Sequence, residues 1–375
     1  MTTPILPFAT EQFFARYEFT TPYLLCASDC ESMTVGELLA LADIPASALG
    51  RLHLGYTESQ GHPALRREIA ATYETIGAAD IVVLGAPEEG IYLTMRALLQ
   101  PGDEVIALTP AYDSLRHLAA HIVQPAPLKP WPIRPTPTSW RLDLDDLARL
   151  LTPQTRLLIV NFPHNPTGLL PDAAQFHALV EMARERGIWL FCDEMYRGLE
   201  NAGTPMLPSA ADLYEQAIVL AGLSKVHGLP GLRSGWLVVR NAALREQLIN
   251  WKHYTTICPP APSEFLATAA LRARAPLIAR NRAIIAQNLA LARTFFARWT
   301  DLFTWRPPQA GSVALVEMAV PSTTAYCERL AREQGILLLP GPFLGADDRF
   351  VRFGLGRHNF GANLAQYDAY LAQAQ

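Results

Sequence analysis

Short apolar runs alternate with longer amphipathic segments along the first two thirds of the chain. Each run is only a few residues long and lacks the polar–apolar alternation of a half-exposed strand. The six clearest runs are Ile81–Leu84, Val105–Leu108, Leu157–Val160, Trp189–Cys192, Ile218–Leu220 and Trp236–Val239. Such runs are typical of strands buried on both faces of a sheet. Their alternation with helical segments predicts an α/β domain with a mainly parallel sheet.

Two of the intervening segments have a clear helical period. In Ile91–Leu99 and Phe176–Ala183 the apolar residues recur three or four positions apart, which predicts helices with one apolar face. Pro101-Gly102 is expected to end the first helix, and Gly187 to stand just beyond the second. Both helices therefore fit between strands of the predicted sheet.

From about Pro262 the pattern changes. A long helical stretch rich in Ala, Leu and Arg leads to a strand-like run at Ser312–Val316, a helix around Ala325–Gln334 and a second run at Phe350–Phe353. Because the regular alternation is lost, this part predicts a smaller α+β domain.

The segment Gln124–Trp140 contains six prolines. One interpretation is a proline-rich ligand for a partner domain. The interpretation that we favour is an irregular connection across the protein surface.

Composition indicates a globular protein. Of the 375 residues 50% are hydrophobic and 18% charged, with a net charge of −4, so nucleic-acid binding is not expected. No apolar stretch approaches the roughly 20 residues that span a bilayer, and the N-terminus does not resemble a signal peptide. We therefore expect a cytoplasmic protein. The five cysteines do not resemble a disulfide framework, and Cys26 and Cys30 have no second ligand pair, so no metal site is expected.

The candidate chemistry lies in three segments. Gly222–Lys225 ends in Ser-Lys, and Arg233 follows eight positions after the lysine. Asn161–Gly168 and Asp193–Arg197 add an amide, a carboxylate and a phenol. Together these segments offer an amine for a Schiff base and the polar groups that hold pyridoxal phosphate, whose ring takes up the electrons of a substrate carbanion.

The order of these groups along the chain, Asn165, Asp193, Tyr196, Ser224-Lys225 and Arg233, resembles the fold-type I pyridoxal-phosphate enzymes of the class I/II aminotransferase superfamily. The resemblance covers nearly the whole chain. It implies a three-layer α/β/α large domain over residues 46–260 and a small α+β domain formed by residues 1–45 and 261–375. It also implies pyridoxal 5′-phosphate as the cofactor.

The resemblance assigns catalytic roles. Lys225 is expected to form the Schiff base and then to carry the substrate Cα proton, which requires an amine of lowered pKa. Asp193 should stand at the C-terminal end of a strand and face the pyridine nitrogen; its alternative role is a helix cap. Tyr196 and Asn165 are expected to donate hydrogen bonds to the phenolic oxygen of the cofactor. Asn165 is also expected near the substrate, although its segment forms a good turn by itself.

The phosphate-binding turn of the family falls on Ala86, Pro87 and Glu88. Backbone N–H groups at a helix N-terminus bind anions, but Pro87 has no N–H. Ser224 and Arg233 are expected to add a hydroxyl and a guanidinium to the phosphate site.

The remaining implied site residues are distant in sequence. Tyr112 is expected to stack on the pyridine ring, unless it is a core tyrosine. Arg352 matches the residue that clamps the substrate carboxylate, with a structural salt bridge as the alternative. The segment Tyr23–Asp29 is expected to line the substrate pocket. Tyr56 resembles a tyrosine that reaches the phosphate of a neighbouring subunit, which implies a homodimer with shared active sites.

The resemblance implies an aminotransferase that moves an amino group between an α-amino acid and a 2-oxo acid. The sequences of Thr34–Leu41, Asn161–Gly168 and Tyr112–Leu115 are also similar to a branch that includes capreomycidine synthase, in which a β-substituent is expelled and a ring is closed. A lyase or cyclase is therefore the alternative. A non-catalytic regulator is less favoured, because too few residues precede Tyr56 for a DNA-binding helix-turn-helix.

Overall fold

A computed structural model describes residues 4–373, which fold into helices packed on β-sheets. The strands are β1 (Tyr23–Leu24), β2 (Ile81–Leu84), β3 (Glu104–Thr109), β4 (Lys129–Pro132), β5 (Arg134–Pro135), β6 (Trp140–Arg141), β7 (Thr155–Asn161), β8 (Trp189–Asp193), β9 (Ala217–Gly222), β10 (Gly235–Val239), β11 (Phe303–Thr304), β12 (Val313–Met318), β13 (Ile336–Leu337), β14 (Leu339–Pro340) and β15 (Phe350–Gly354).

The α-helices are α1 (Ala9–Tyr17), α2 (Val35–Leu41), α3 (Ser47–Gly50), α4 (Pro63–Ala70), α5 (Pro87–Leu98), α6 (Asp113–Val123), α7 (Leu144–Leu150), α8 (Ala173–Glu185), α9 (Ala210–Leu213), α10 (Ala242–His253), α11 (Ala261–Arg272), α12 (Arg274–Arg298), α13 (Thr323–Gln334) and α14 (Phe360–Gln373). Short 3₁₀ segments cover Ala78–Asp80, Pro230–Leu232 and Gly341–Leu344. Within residues 4–373, none of the helices has the length and apolar character that crossing a membrane requires.

The main sheet of the described chain has seven strands in the order β2-β10-β9-β8-β7-β3-β4. Neighbouring strands are parallel except at β10, which runs antiparallel to both β2 and β9. The six apolar runs of the sequence coincide with strands of this sheet, so the predicted α/β fold is confirmed. Helices cover both faces, and neither face therefore selects polar residues.

Successive residues of the central strands enter two different hydrophobic cores. In β7, Leu157 and Ile159 pack in the core formed with α5, α6 and α10. Leu158 and Val160 pack in the core formed with α4, α8 and α11. Because side chains alternate between the two faces of a strand, one sheet joins both cores and gives the three-layer α/β/α arrangement.

The proline-rich segment Gln124–Trp140 is not an irregular connection, and that prediction is wrong. It contains β4, which pairs in parallel with β3 at one edge of the main sheet. Trp131 of β4 is fully buried, and its indole N–H donates to the Asp143 carbonyl at 2.9 Å. Prolines are tolerated in β4 because an edge strand needs ladder hydrogen bonds on one side only.

A second sheet in the described residues is antiparallel, with the order β11-β12-β15-β14. The N-terminal segment packs against this part of the molecule, because β1 pairs with β13 and the Gly354 N–H donates to the Leu25 carbonyl at 2.7 Å. A Cβ at position 354 would lie 1.8 Å from the Ala27 carbonyl oxygen, so this close approach requires glycine. The division into domains at residues 46 and 260 stays a prediction.

Candidate active site

The carboxyl ends of β7, β8 and β9 meet at one edge of the main sheet beside a cavity of about 520 Å³. Asn161 ends β7 and pairs in register with Asp193, which ends β8. Ligands of open α/β sheets bind at this edge. All of the predicted site residues except Ala86 and Tyr56 line the cavity, namely Pro87, Glu88, Tyr112, Asn165, Asp193, Tyr196, Ser224, Lys225, Arg233 and Arg352.

The amine of Lys225 faces this cavity and donates a hydrogen bond to the Ser28 hydroxyl at 2.7 Å. Burial lowers the pKa of Lys225. The negative charge of Asp29 raises this pKa, and the positive charge of Arg352 lowers it. Only the neutral amine can attack a carbonyl carbon or accept a proton, and a lowered pKa increases its population. Lys225 thus has the properties that a Schiff-base lysine requires.

The carboxylate of Asp193 follows the last apolar residue of β8. Its Oδ1 accepts a hydrogen bond from the Met195 N–H at 3.0 Å. Burial raises the pKa of Asp193 to about 6, although the Met195 N–H and Lys225 both oppose that rise. No α-helix of the described chain begins directly after Asp193, so the helix-cap alternative is wrong. A buried carboxylate of this kind is stabilised by a positive partner such as a protonated ring nitrogen.

Arg352 lies in β15 and is only 1% exposed. Its guanidinium donates to the Cys26 carbonyl at 2.9 Å and to Asn165 Oδ1 at 3.3 Å. Within residues 4–373 it forms no ion pair with a carboxylate, and its Nε has no hydrogen-bond partner. The structural salt bridge is therefore not found. A buried charge without a counter-ion is costly, which indicates that this guanidinium faces an anionic ligand.

Two hydroxyl groups of the cavity, those of Tyr196 and Ser224, also lack a hydrogen-bond partner in the described chain. The side chains are 3% and 6% exposed. Because buried polar atoms are nearly always hydrogen-bonded, these hydroxyls indicate a polar ligand. With the amine of Lys225, the carboxylate of Asp193 and the amide of Asn165, they form a set of groups that fits pyridoxal phosphate.

The predicted phosphate site is the N-terminus of α5. Ala86 is the N-cap residue and does not line the cavity, whereas Pro87 and Glu88 do. Burial raises the pKa of Glu88 to about 7, so its carboxyl is partly protonated near neutral pH and repels a phosphate less. Arg233, which has a left-handed backbone conformation with φ of 47°, brings positive charge to the same cavity.

Helix α1 and the residue before it supply cavity residues that the sequence patterns did not reveal. These residues are Phe8, Thr10, Glu11 and Phe14. The sequence held one signal, since the spacing of Phe13 and Tyr17 is helical, and both side chains are buried in the core around the second sheet. Spacing alone does not show what the other face of a helix contacts.

The predicted pocket segment Tyr23–Asp29 contributes to the site through few of its residues. Ser28 lines the cavity and accepts from Lys225. Cys26 contributes its backbone carbonyl to Arg352. Tyr23 and Leu24 instead form β1, which pairs with β13.

Tyr56 lies outside the cavity, with a side chain that is 91% exposed. The Thr57 hydroxyl donates to the Pro259 carbonyl at 3.5 Å, which ties this segment to the connection between α10 and α11. Tyr56 therefore lies at the surface of its own chain and does not line this cavity.

The chain is similar to known proteins in both sequence and structure. The chain matches the family model described as aminotransferase class I and II over residues 24–365. It is 32% identical over 333 residues to capreomycidine synthase from Streptomyces vinaceus, which covers 88% of this chain and 84% of that protein. It is 30% identical over 344 residues to an arginine–pyruvate transaminase from Pseudomonas aeruginosa, and this match covers 88% of this chain and 85% of the transaminase. The solved structure of the PLP-dependent cyclase OrfR matches this chain with a TM-score of 0.91 at 28% sequence identity. The match covers 100% of this chain and 99% of the cyclase chain.

The fold and the cavity define a pyridoxal-phosphate enzyme. The chain belongs to the class I and II aminotransferase family, and its cofactor is pyridoxal 5′-phosphate. Both the predicted family and the predicted cofactor are confirmed. The names of the similar proteins include a transaminase, a synthase and a cyclase, so family membership does not by itself define the final reaction.

Proposed function

We propose that this protein is an aminotransferase that moves an amino group between an α-amino acid and a 2-oxo acid. The observation that carries the proposal is the pairing of two groups in one cavity. Lys225 offers an amine of lowered pKa. Arg352 offers a buried guanidinium without a carboxylate partner in the described chain. An α-amino acid brings the matching carboxylate and, next to it, the Cα proton that the amine would remove.

The side chains have separate tasks in this proposal. Pyridoxal phosphate, when bound, supplies an electron sink for the negative charge that develops at the substrate Cα. Lys225 would hold the cofactor covalently, and its freed amine would then move the Cα proton. Asp193 would face the ring nitrogen, while Tyr196 and Asn165 would donate to the phenolic oxygen.

The other side chains would bind and orient. Arg352 would hold the substrate carboxylate through parallel N–H donors, which positions the Cα for proton transfer. Ser224, Arg233 and the N-terminus of α5 would bind the phosphate. Tyr112 would pack against the ring.

A second candidate is elimination or ring closure on a β-substituted amino acid. It is supported by the similarity to capreomycidine synthase and by the TM-score of 0.91 with the cyclase. Both reactions need the same Lys225, Arg352 and Asp193, because both begin with removal of the Cα proton. They differ in the fate of the nitrogen, since only amino transfer gives a 2-oxo acid together with a new amino acid.

The fate of the nitrogen provides the test. Purified holoenzyme is incubated with a panel of L-amino acids and pyruvate, and 2-oxo acid, alanine and ammonia are quantified. We expect one class of amino acid to give equal amounts of 2-oxo acid and alanine without ammonia. Ammonia release, or a cyclic product without alanine, would contradict amino transfer and support the second candidate. Unchanged cofactor absorption with every amino acid would contradict both and support a non-catalytic protein.

We infer that the protein works as a homodimer with shared active sites. The inference is supported by Tyr56, whose side chain is 91% exposed and does not line the cavity of its own chain. A hydroxyl at such a surface would reach a phosphate only in a second subunit. The cytoplasmic location expected from the sequence stays a prediction.

Mixed dimers of Tyr56→Phe and Lys225→Ala test the shared site. In such a heterodimer one active site carries both changes and the other carries neither, so mixing two impaired homodimers should restore up to about half of the wild-type activity per dimer. Activity is measured after verified subunit exchange and compared with the sum of the unmixed variants. Tyr92→Phe in place of Tyr56→Phe is the control for an exposed tyrosine outside the shared site. No gain over the sum, or full activity in a monomer, would show that each chain holds a complete site.

A further inference from the structure

We propose that Glu11 makes the cavity selective for an amino acid whose side chain carries a positive charge, an ammonium or a guanidinium group. This inference rests on the proposed function, because it assumes that the cavity binds an α-amino acid. It assigns a specificity role to a residue of α1 outside the predicted set of site residues.

One face of α1 is turned towards the cavity. Glu11 and Phe14 are three positions apart, and both line it. Residues three and four apart share one side of a helix. Phe13 and Tyr17 are buried in the core around the second sheet, which holds the helix against the rest of the molecule. Glu11 thus stands at the wall of the cavity, on a solvent-exposed side of the helix.

The helix is held in place by specific contacts at Thr10. Its backbone N–H donates to Asp113 Oδ2 at 3.1 Å, and its hydroxyl donates to the Phe343 carbonyl at 2.9 Å. Asp113 belongs to α6, whereas Phe343 lies near the second sheet. Because neighbouring Thr10 is anchored to both parts, the backbone at Glu11 has a defined position, and the Tyr112 hydroxyl holds its carboxylate. Selectivity for charge requires such a fixed partner.

Most charged side chains of the cavity already have a partner of opposite charge in the proposed function. In the proposed function Arg352 pairs with the substrate carboxylate, Arg233 with the phosphate, and Asp193 with the ring nitrogen, while Lys225 binds the cofactor. Glu88 is partly protonated near neutral pH, because burial raises its pKa to about 7. The remaining charged group among the cavity residues of the described chain is Glu11.

Glu11 has a single polar contact in the described chain. Its Oε1 accepts a hydrogen bond from the Tyr112 hydroxyl, and it forms no ion pair within residues 4–373. Asp29 differs in this respect, because it pairs with Arg357 at 2.6 Å. A carboxylate with a remaining acceptor oxygen and no ion pair complements a positively charged group.

A second carboxylate strengthens the negative field at this end of the cavity. Glu18 follows α1 seven positions after Glu11, which is about two helical turns. Burial raises the pKa of Glu18, and the negative charges of Asp29 and Glu11 raise it further. The positive charges of Arg357 and Lys225 lower it. Glu18 and Asp29 therefore add to the negative charge around Glu11, although neither of them lines the cavity.

The walls of the cavity also suit a cation with an apolar stem. Phe8 and Phe14 line it on the side of α1, and the Phe8 and Tyr112 rings meet edge to face at 5.0 Å. Aromatic faces attract cations and pack against methylene groups. The cavity is independently marked as a ligand site by the unpartnered hydroxyl of Tyr196, which is 3% exposed. The acidic group is thus part of a built cavity and not an isolated surface charge.

Matched amino acids test the inference on the purified holoenzyme. Arginine and citrulline have nearly the same shape but differ in charge, and so do lysine and norleucine. For each amino acid we would measure kcat/KM for loss of the amino group and the rise in melting temperature on binding. We expect the cationic member of at least one pair to be preferred about tenfold or more, as for charge-assisted hydrogen bonds. Glu11→Gln should remove most of that preference in both measurements.

Two further variants separate Glu11 from general charge effects. Glu246→Gln removes an exposed carboxylate of α10 and should leave the preference unchanged. Glu18→Gln should reduce the preference less than Glu11→Gln, because Glu18 does not line the cavity.

The outcomes distinguish this inference from the proposed function. Equal or better turnover of citrulline, norleucine and glutamate would overturn the inference while leaving amino transfer intact. A cationic preference that survives Glu11→Gln would overturn the role of Glu11. If no amino acid loses its amino group or shifts the melting temperature, the proposed function fails and the inference fails with it.

Discussion

Replacing Lys225 by alanine is expected to lower turnover by roughly 10⁴-fold or more, because the covalent anchor and the proton carrier are lost together. The variant should still bind pyridoxal phosphate, but only non-covalently, since Asp193, Ser224 and Arg233 remain. Reduction with borohydride followed by peptide mapping measures the covalent bond directly. We expect labelled Lys225 peptide in the wild type and no labelled lysine in the variant.

The mapping is unusually clear because the chain contains only three lysines, Lys129, Lys225 and Lys252. Lys129 lies in β4 and pairs with Glu104 at 2.5 Å. Lys252 is fully buried near Glu89 and does not line the cavity. Lys129→Ala is therefore the matched control and should keep full activity. A borohydride-stable adduct on either other lysine in Lys225→Ala would show that the Schiff base has been assigned to the wrong residue.

Replacing Arg352 by leucine is expected to weaken the binding of α-amino acids about 30-fold or more while leaving cofactor absorption unchanged. Removing one partner of a buried charge pair costs about 2–5 kcal/mol, and roughly 1.4 kcal/mol corresponds to a factor of ten. The measurement is the amino-acid dependence of the first half-reaction, followed through the change in cofactor absorption. An amine without a carboxylate serves as a second substrate, and its weak reaction should change much less than that of the amino acid.

Arg349→Leu is the matched control for Arg352→Leu. Arg349 directly precedes β15, is about half exposed and pairs with Glu317 at 2.8 Å, so its loss should change neither measurement by more than a small factor. Melting temperatures of both variants show whether the fold is kept, because Arg352 also binds the Cys26 carbonyl. Unchanged kinetics in a folded Arg352→Leu variant would mean that the buried guanidinium has a structural task, or that the substrate has no free carboxylate.

Local sequence was sufficient for the framework of the cofactor site. The strand ends at Asn161 and Asp193 were recognisable because buried strands leave uninterrupted apolar runs, and a polar residue that follows such a run stands at the edge of the sheet. The sequence failed at Gln124–Trp140, where six prolines concealed an edge strand. The number of prolines shows how many backbone N–H donors are missing. It does not show whether a neighbouring strand would have accepted hydrogen bonds from those donors.

The sequence by itself determined the α/β sheet, because buried strands and helices differ in their local periodicity, and its resemblance to a known family implied the cofactor and the polar groups expected around it. Tertiary structure decided which distant residues complete the site. Ser28 and Lys225 are 197 positions apart, and Asn165 and Arg352 are 187 apart, yet each pair is joined by a hydrogen bond. The place of Glu11 at the cavity was likewise decided only by the packing of α1, whose Phe13 and Tyr17 are buried in the core around the second sheet. Residue spacing specifies which side chains share a face of a helix, whereas only the packed core specifies what that face meets.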